Sequence, residues 1–260
     1  MSPAQSKDWN PETYARFRGL RLRPAIDLIH QIGVIPDGDI IDLGCGNGAV
    51  GEALAERFDG HKLIGVDSSE AMLVKASETR NYDDLVHADI THYQPSKPPA
   101  VIFSNAALNW LPDHETLMPM IAGQLADGGV LAVQMPGQHD GPSHALARSV
   151  AVDMFPDRFA DGGWNADVLD PADYYRILSP HGDVTAWETS YLQPLAPAEG
   201  HPVRHFTQST YLRPIMAKMD ETEQADYLKR YETALQAAYP LADDGSAMFT
   251  FRRVFFVLRR

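Results

Sequence analysis

The sequence predicts an α/β fold in which helices cover both faces of a mostly parallel sheet. Between residues 39 and 136, short apolar runs alternate with segments of helical length, as in sheets built from crossover connections. A glycine-rich turn, DLGCGNGAVG at 42–51, directly follows the first of these runs. A chain of 260 residues is long enough for one such domain with additions, and we expect 1–260 to form a single domain.

The elements follow from apolar spacing and from helix signals. At the N-terminus a helix is predicted, with Asn10 as its cap and Pro11 at its first position, and Pro24 is expected to break or restart it. The core strands are apolar and short, and they are predicted at 39–43, 62–67, 84–89, 100–105 and 130–136. The intervening helices are predicted at 49–58, 69–79 and 114–126.

Beyond Pro136 the alternation is less regular. Helices are predicted at 142–155, 171–178, 200–219 and 221–239, and strands at 183–193 and 247–258. Two late strands around a helical insertion at 194–245 suggest an antiparallel addition to the sheet.

Composition excludes several classes of protein. The formal net charge is −13, and no cluster of lysine and arginine offsets it, so we expect no nucleic-acid partner. No apolar stretch reaches the roughly 20 residues of a membrane helix, and the N-terminus lacks the apolar core of a secretory signal. A single cysteine, Cys45, excludes a disulfide framework. These features predict a cytoplasmic protein and do not exclude a small anionic substrate. They are compatible with a monomer, and the oligomeric state stays open.

The glycine turn contains two overlapping patterns. Gly46, Gly48 and Gly51 spell G-x-G-x-x-G, the fingerprint of a dinucleotide site. Asp42 and Gly44 precede that fingerprint, and a carboxylate at the strand end would repel a pyrophosphate and favour a cationic ligand such as a sulfonium. The next two predicted strands also end in acids, Asp67 and Asp89, which suit ribose hydroxyls and an adenine edge.

The stretches DLGCGNG, GVDSS, ADI and SNAALNWLPD resemble the motifs of class I S-adenosylmethionine-dependent methyltransferases. Over nearly the whole chain the sequence is similar to trans-aconitate methyltransferases, on DWNPETYARF, GVDSSEAML, ADITHYQP, NAALNWLPDH, YYRILSP and the ending FRRVFFV. The resemblance implies a Rossmann-like seven-stranded sheet with an antiparallel last strand. It also implies S-adenosylmethionine as cofactor, S-adenosylhomocysteine as product, and methyl-ester formation on a small polycarboxylic acid.

The same resemblance implies roles for individual residues. A lid would lie within 1–33, the cofactor core within 36–136, and part of the acceptor site in the 194–245 insertion. The charge argument adds Asp42 to the residues predicted to bind the cofactor. The others, each group followed by the role or the part of the cofactor that it would contact, are Trp9 and Tyr14 (lid), Gly44, Cys45 and Gly46 (methionine part), Asp67 (ribose), Ser68, Met72, Asp89 and Ile90 (adenine), and Asn105 (methionyl end).

A carboxylate acceptor is already nucleophilic at neutral pH, so no general base and no catalytic side chain is expected. The acceptor's other carboxylates call for arginine. Arg213 is the preferred candidate for binding these carboxylates, and Tyr211 and His139 are also predicted to bind the acceptor. Further candidates are Arg176 and either Arg18 or Arg21, and His139 or His144 would serve as a base for a different acceptor.

Other residues are expected to have structural roles. His87, His92, His139 and His144 are interpreted as solvated loop residues rather than metal ligands, and Trp110 as packing the sheet end. Three alternatives stay open: methyl transfer to a phenol, amine or carbon atom, a nicotinamide-dependent oxidoreductase, and a catalytically idle cofactor-binding protein.

Overall fold

The computed structural model describes residues 18–159 and 168–260. Trp9 and Tyr14, predicted to form a lid, lie outside the described residues, as do Asn10 and Pro11. For residues 18–21 the structure describes the helix but not the side chains, so it does not address Arg18 or Arg21 as acceptor residues.

A seven-stranded sheet organises the described residues, with the order β3-β2-β1-β4-β5-β7-β6. Its strands are β1 Ile40–Leu43, β2 Leu63–Asp67, β3 Asp84–His87, β4 Val101–Asn105, β5 Val130–Pro136, β6 Asp183–Leu195 and β7 Ala247–Arg259. The predicted sheet is confirmed, and each of its strands lies within about two residues of the predicted position.

The helices lie between these strands. They are α1 Arg18–Ile29, α2 Gly51–Arg57, α3 Glu70–Thr79, α4 His114–Gly123, α5 Pro142–Met154, α6 Pro156–Phe159, α7 Pro171–Leu178, α8 Pro202–Gln208, α9 Arg213–Met216 and α10 Glu221–Ala238. Short 3₁₀ turns cover Leu108–Trp110 and Ser179–His181.

Strands β1 to β5 pair in parallel, and every residue of β1 is buried, as expected for strands that are covered on both faces. The last strand runs antiparallel to β5. Arg260 N donates to Gly129 O at 3.0 Å, and Gly137 N donates to Arg252 O at 3.1 Å. The paired residue numbers therefore rise from 129 to 137 along β5 while they fall from 260 to 252 along β7, which is the antiparallel arrangement. This confirms the predicted antiparallel addition.

Two helix predictions are wrong. Helix α1 continues through Pro24. The proline removes one backbone hydrogen bond, and the burial of Leu28 and Ile29 further along the same helix offsets that loss. The single helix predicted at 200–219 is instead α8 and α9, separated at 209–212. Beyond the end of α8, the Ser209 hydroxyl donates to the Phe206 carbonyl at 2.7 Å, and Leu212 N donates to Thr207 O at 3.1 Å.

The described residues form two compact units. The first comprises 18–136, 168–188 and 254–260, and alternate strand residues such as Ile41, Leu43 and Val133 form a largely aliphatic core on one face of its sheet. The second comprises 137–159 and 189–253, and its core is rich in aromatic side chains, such as Phe206, Tyr231 and Phe249. There the Tyr227 and Tyr231 rings stack at 6.1 Å. Within the described residues, no helix has the length and apolar character needed to cross a membrane.

Candidate functional site

The first unit contains a cavity of about 580 Å³ at the carboxyl ends of its parallel strands. Strand order reverses between β1 and β4, and open α/β sheets bind ligands at such a switch point. Ten of the twelve predicted cofactor residues line this cavity: Asp42, Gly44, Cys45, Gly46, Asp67, Ser68, Met72, Asp89, Ile90 and Asn105. Their individual roles stay predictions.

The lining of the cavity is acidic. Asp42, Asp67, Glu70 and Asp89 all contribute to it, and no lysine or arginine does so among the described residues. Ribose hydroxyls and a cationic sulfonium or ammonium group match such a lining, whereas a pyrophosphate does not. The lining therefore fits S-adenosylmethionine and argues against a dinucleotide.

Asp67, at the carboxyl end of β2, links two chain segments through hydrogen bonds. Its Oδ2 accepts from Gly46 N at 2.8 Å, and its Oδ1 accepts from Ser69 N at 2.9 Å. The first bond anchors the glycine turn, and the second orients the N-terminus of α3, where the Ser69 hydroxyl caps Met72 N. Asp67 thus shapes the cavity in addition to the predicted contact with ribose.

Asp89 occupies a more open position. It lies two residues beyond the end of β3 and is exposed. Its Oδ1 accepts from Thr91 N at 2.8 Å and from Thr91 Oγ1 at 2.7 Å, and these bonds lower the pKa of the Asp89 carboxyl. The neighbouring Ile90 lines the cavity with an apolar side chain, which is the combination predicted for adenine.

Asp42 is buried at the end of β1 and bonded to a residue that the sequence analysis missed. Tyr82 Oη donates to Asp42 Oδ2 at 2.6 Å. Burial raises the pKa of Asp42 to about 7; the bond from Tyr82 opposes the rise, and nearby Asp67 adds to it. Burial likewise raises the pKa of the Cys45 thiol, so this cysteine lines the cavity as a neutral group.

Tyr82 also explains two glycines of the fingerprint. A Cβ on Gly51 would lie 2.6 Å from the Tyr82 ring, and one on Gly48 would lie 3.1 Å from it. Gly48 also has φ +76°, and a Cβ there would lie 3.1 Å from the Ala76 Cα, so packing within the protein accounts for both glycines. The fingerprint of Gly46, Gly48 and Gly51 therefore gives no support to the nicotinamide alternative.

We expect Asp42→Asn to change how stability depends on pH. An unfolded aspartate ionises near pH 4, whereas Asp42 in the folded protein holds its proton until about pH 7. Its contribution to stability is therefore lost as pH rises from about 4 to about 7. Asparagine stays neutral, so D42N should gain on the wild type by up to about 1.4 kcal/mol per pH unit in this window.

Urea unfolding of both proteins at several pH values measures this difference. The variant D59N, at exposed Asp59, is the control for removing one carboxylate at the surface. A D42N difference that does not change with pH would contradict the burial argument.

The end of β4 completes the cavity. Asn105 lines it, and Gln134 of β5 donates to the Asn105 side-chain oxygen. Trp110 also lines the cavity and is 50% exposed, so the prediction that it packs the sheet end is wrong. The 3₁₀ turn that carries Trp110 is held by buried His114, whose Nε2 lies 2.9 Å from Leu108 O.

Of the predicted acceptor residues, Tyr211, His139 and Arg213 belong to the second unit, whereas Arg176 belongs to the first. Tyr211 and His139 come together around Arg148, which the sequence analysis did not single out. Arg213 is partly buried at the first position of α9. Arg176 is exposed and pairs with Asp173 at 2.8 Å, so it is a surface charge.

The histidine predictions need correction. His144 is not a solvated loop residue, because it lies in α5 with its ring 3.7 Å from the Tyr211 ring. His87 ends β3, and its Nε2 lies 2.9 Å from Ser68 O. Among the described residues, no group of three or more His, Cys, Asp or Glu side chains forms a metal site.

A seven-stranded sheet of this order, with an acidic cavity at its switch point, defines a Rossmann-like methyltransferase that uses S-adenosylmethionine. A family model described as a methyltransferase domain matches residues 14–220. The trans-aconitate 2-methyltransferase of Paracidovorax citrulli is 39% identical over 259 residues, which are 97% of this chain and 98% of that protein. The chain belongs to the family of methyltransferase domains that contains this enzyme.

Solved structures agree on the fold. The YcgJ protein of Bacillus subtilis has a TM-score of 0.61 at 13% identity, covering 92% of this chain and 98% of that one. Phosphoethanolamine N-methyltransferase 2 of Haemonchus contortus, solved with phosphomonomethylethanolamine and S-adenosylhomocysteine, has a TM-score of 0.53 at 17% identity. It covers 91% of this chain and 52% of that one. At these identities the likeness concerns the fold.

Proposed function

We propose that this methyltransferase acts on a carboxylate of a small polycarboxylic acid such as trans-aconitate and forms its methyl ester. The observation that carries the proposal is the near full-length similarity to a trans-aconitate 2-methyltransferase, 39% identical over 97% of this chain. The cytoplasmic location expected from composition stays a prediction, and the oligomeric state stays open.

The cavity lining agrees with an acceptor that needs no general base. When bound, S-adenosylmethionine supplies an electrophilic methyl group, which a carboxylate oxygen accepts without losing a proton. Among the candidate bases in the lining, the Cys45 thiol is neutral at physiological pH, and His87 bonds the Ser68 carbonyl. The carboxyl groups of Asp42 and Asp67 are also engaged, because they accept hydrogen bonds from Tyr82 Oη and Gly46 N. The side chains then have to bind, align and exclude water.

Nine of the lining residues have a proposed part in holding the cofactor. Asp67 would accept from the ribose hydroxyls. Ser68, Met72, Asp89 and Ile90 would surround the adenine. Gly44, Cys45 and Gly46 would contact the methionine part through their backbone, and Asn105 its end. For Trp9 and Tyr14 the lid role stays a prediction.

An assay with labelled S-adenosylmethionine tests the proposal. We expect trans-aconitate to yield an organic-extractable product whose label is released by mild base, because methyl esters hydrolyse there whereas methyl ethers and methylamines do not. Other di- and tricarboxylates and a panel of phenols and amines complete the comparison. Base-stable label on a phenol or amine, with none on any acid, would refute carboxyl methylation.

A further inference from the structure

The side chain of Tyr82 connects the glycine turn to the acidic end of β1. Its hydroxyl donates to Asp42 Oδ2 at 2.6 Å. A Cβ added to Gly65 of β2 would lie 2.9 Å from the Tyr82 ring, in addition to the close approaches at Gly48 and Gly51. Three glycines from two chain segments thus pack around the ring, and this packing fixes the place of the hydroxyl.

The loop that carries Tyr82 is anchored to the start of β2. Asp83 N donates to Leu63 O at 2.9 Å, and Leu63 N donates to Asp83 Oδ2 at 2.8 Å. Tyr82 is not among the residues that line the cofactor cavity, whereas Asp42 is. An effect of Tyr82 on the cofactor therefore has to pass through Asp42 or the glycine turn, and the anchored loop holds the hydroxyl in position for it.

Asp42 has neutral and acidic neighbours in the part of the chain that the structure describes. Its partners in register are Gly65 of β2 and Phe103 of β4. The titratable groups that act on it there are Tyr82, Asp67 and Cys45. Burial raises the pKa of Asp42 to about 7, the bond from Tyr82 opposes the rise, and Asp67 adds to it. A cationic group brought by the cofactor would favour the carboxylate form.

The hydroxyl of Tyr82 is a constant donor in this pair. Burial, followed by the charge of Asp42, raises the pKa of the Tyr82 hydroxyl, so the hydroxyl keeps its proton throughout the neutral range. A phenol that donates to a carboxylate favours the ionised acid over the protonated one. Removal of the hydroxyl alone would therefore make Asp42 harder to ionise.

We propose that Tyr82 is a positioning residue of the cofactor site, which holds Asp42 as the counter-charge for a cationic group of S-adenosylmethionine. The cation is the sulfonium or the amino-acid ammonium, and either of them matches the acidic lining. Asp42 gives up its proton to solvent as the cation binds, and it takes up a proton again when the product leaves. Tyr82 acts in this way whatever molecule receives the methyl group.

The variant Y82F tests this role, because it removes the hydroxyl and keeps the ring that packs on the glycines. Calorimetric titration with S-adenosylmethionine from about pH 6 to about pH 8.5 measures the affinity. In the wild type we expect the affinity to rise with pH until Asp42 is ionised. Loss of one hydrogen bond to a carboxylate should move that rise upward by about one pH unit. Y82F should then bind about fivefold more weakly than the wild type near pH 7 and within about twofold of it near pH 8.5.

Two further ligands identify the charge that Asp42 balances. 5′-Methylthioadenosine carries neither cation, so Y82F and the wild type should bind it equally well at every pH. S-adenosylhomocysteine carries the ammonium without the sulfonium. If it behaves like S-adenosylmethionine, the ammonium faces Asp42, and if it behaves like 5′-methylthioadenosine, the sulfonium does. Titration in buffers of different ionisation enthalpy counts the protons released, and we expect close to one with S-adenosylmethionine near pH 6.

Two control variants separate an effect through Asp42 from general damage. Y175F removes an exposed hydroxyl of α7 in the same unit and should match the wild type at every pH. D42N has no proton to give up at this position, so the rise assigned to Asp42 should be absent, and adding Y82F to D42N should shift no pH midpoint. Any pH dependence that D42N retains comes from other titratable groups of the lining, which include Glu70, His87 and Asp89.

Equal affinities of Y82F and the wild type for S-adenosylmethionine at every pH overturn the role of Tyr82. A loss in Y82F that is the same at every pH and for all three ligands also overturns it, because only the structure of the site is then damaged. If Y82F fails to fold, the wild type carries the test. Parallel pH profiles for S-adenosylmethionine and 5′-methylthioadenosine would then overturn the counter-charge, and a rise with the first ligand alone would support it. These titrations contain no methyl acceptor, so their outcome is separate from that of the trans-aconitate assay.

Discussion

Asp67→Ala is expected to weaken binding of S-adenosylhomocysteine by at least about 30-fold, or roughly 2 kcal/mol. The substitution removes the proposed acceptor for the ribose hydroxyls. It also removes the bonds from Gly46 N at 2.8 Å and Ser69 N at 2.9 Å, which hold the glycine turn and the start of α3. The cofactor thus loses a direct partner and a preformed wall of its cavity.

Calorimetric titration of D67A with S-adenosylhomocysteine measures the effect, and thermal unfolding of the unliganded variant measures the structural part. We expect that part to be about 1–3 kcal/mol, as for two backbone donors left without their acceptor. Asp37→Ala, at an exposed aspartate before β1, is the matched control and should change neither quantity. Unchanged affinity in D67A would show that the carboxylate does not contribute to the cofactor site.

The sequence was sufficient for the sheet and for much of the cavity, because both follow from local order along the chain. A strand buried on both faces needs a continuous apolar run, and the carboxyl ends of parallel strands lie at one edge. Acids that follow successive runs, such as Asp42 and Asp67, therefore line one cavity. The order of residues also showed that Asp42 and Gly44 precede the dinucleotide fingerprint, which distinguished this turn from a dinucleotide site.

Contacts between distant residues could not be predicted in this way. Tyr82 and Asp42 are 40 residues apart, and Arg148 and Tyr211 are 63 apart, so no spacing rule relates either pair. The tyrosine fills space that Gly48 and Gly51 leave open, yet a glycine in a sequence does not reveal which side chain requires it. His144 was interpreted as a loop residue although it lies within the helix predicted at 142–155, because Gly141 and Pro142 precede it closely. Proline is favourable in the first turn of a helix, so these residues begin the helix rather than interrupt it.

Gly44→Ala is expected to destabilise the protein by about 3 kcal/mol or more, through two effects that add. Gly44 has φ +80°, a conformation that alanine adopts under strain. Its new Cβ would also lie 2.2 Å from the Ala107 Cβ. The neighbouring Ala106 is itself at φ +55° and its N–H donates to Gln134 O at 2.9 Å, so this loop has little room to retreat.

Gly60→Ala separates the two effects, because Gly60 has φ +87° but a Cβ there would meet nothing within 4 Å. It should cost about 1 kcal/mol, the strain alone.

In G44A, the substitution Ala107→Gly removes the atom with which the new Cβ collides, so the double variant G44A/A107G should recover part of the lost stability. Urea unfolding of the four variants, including A107G alone, measures this coupling. Equal losses in G44A and G60A, or no recovery in the double variant, would mean that the loop after β4 yields to the added methyl group. The close approach of these two loops would then not be what requires glycine at position 44.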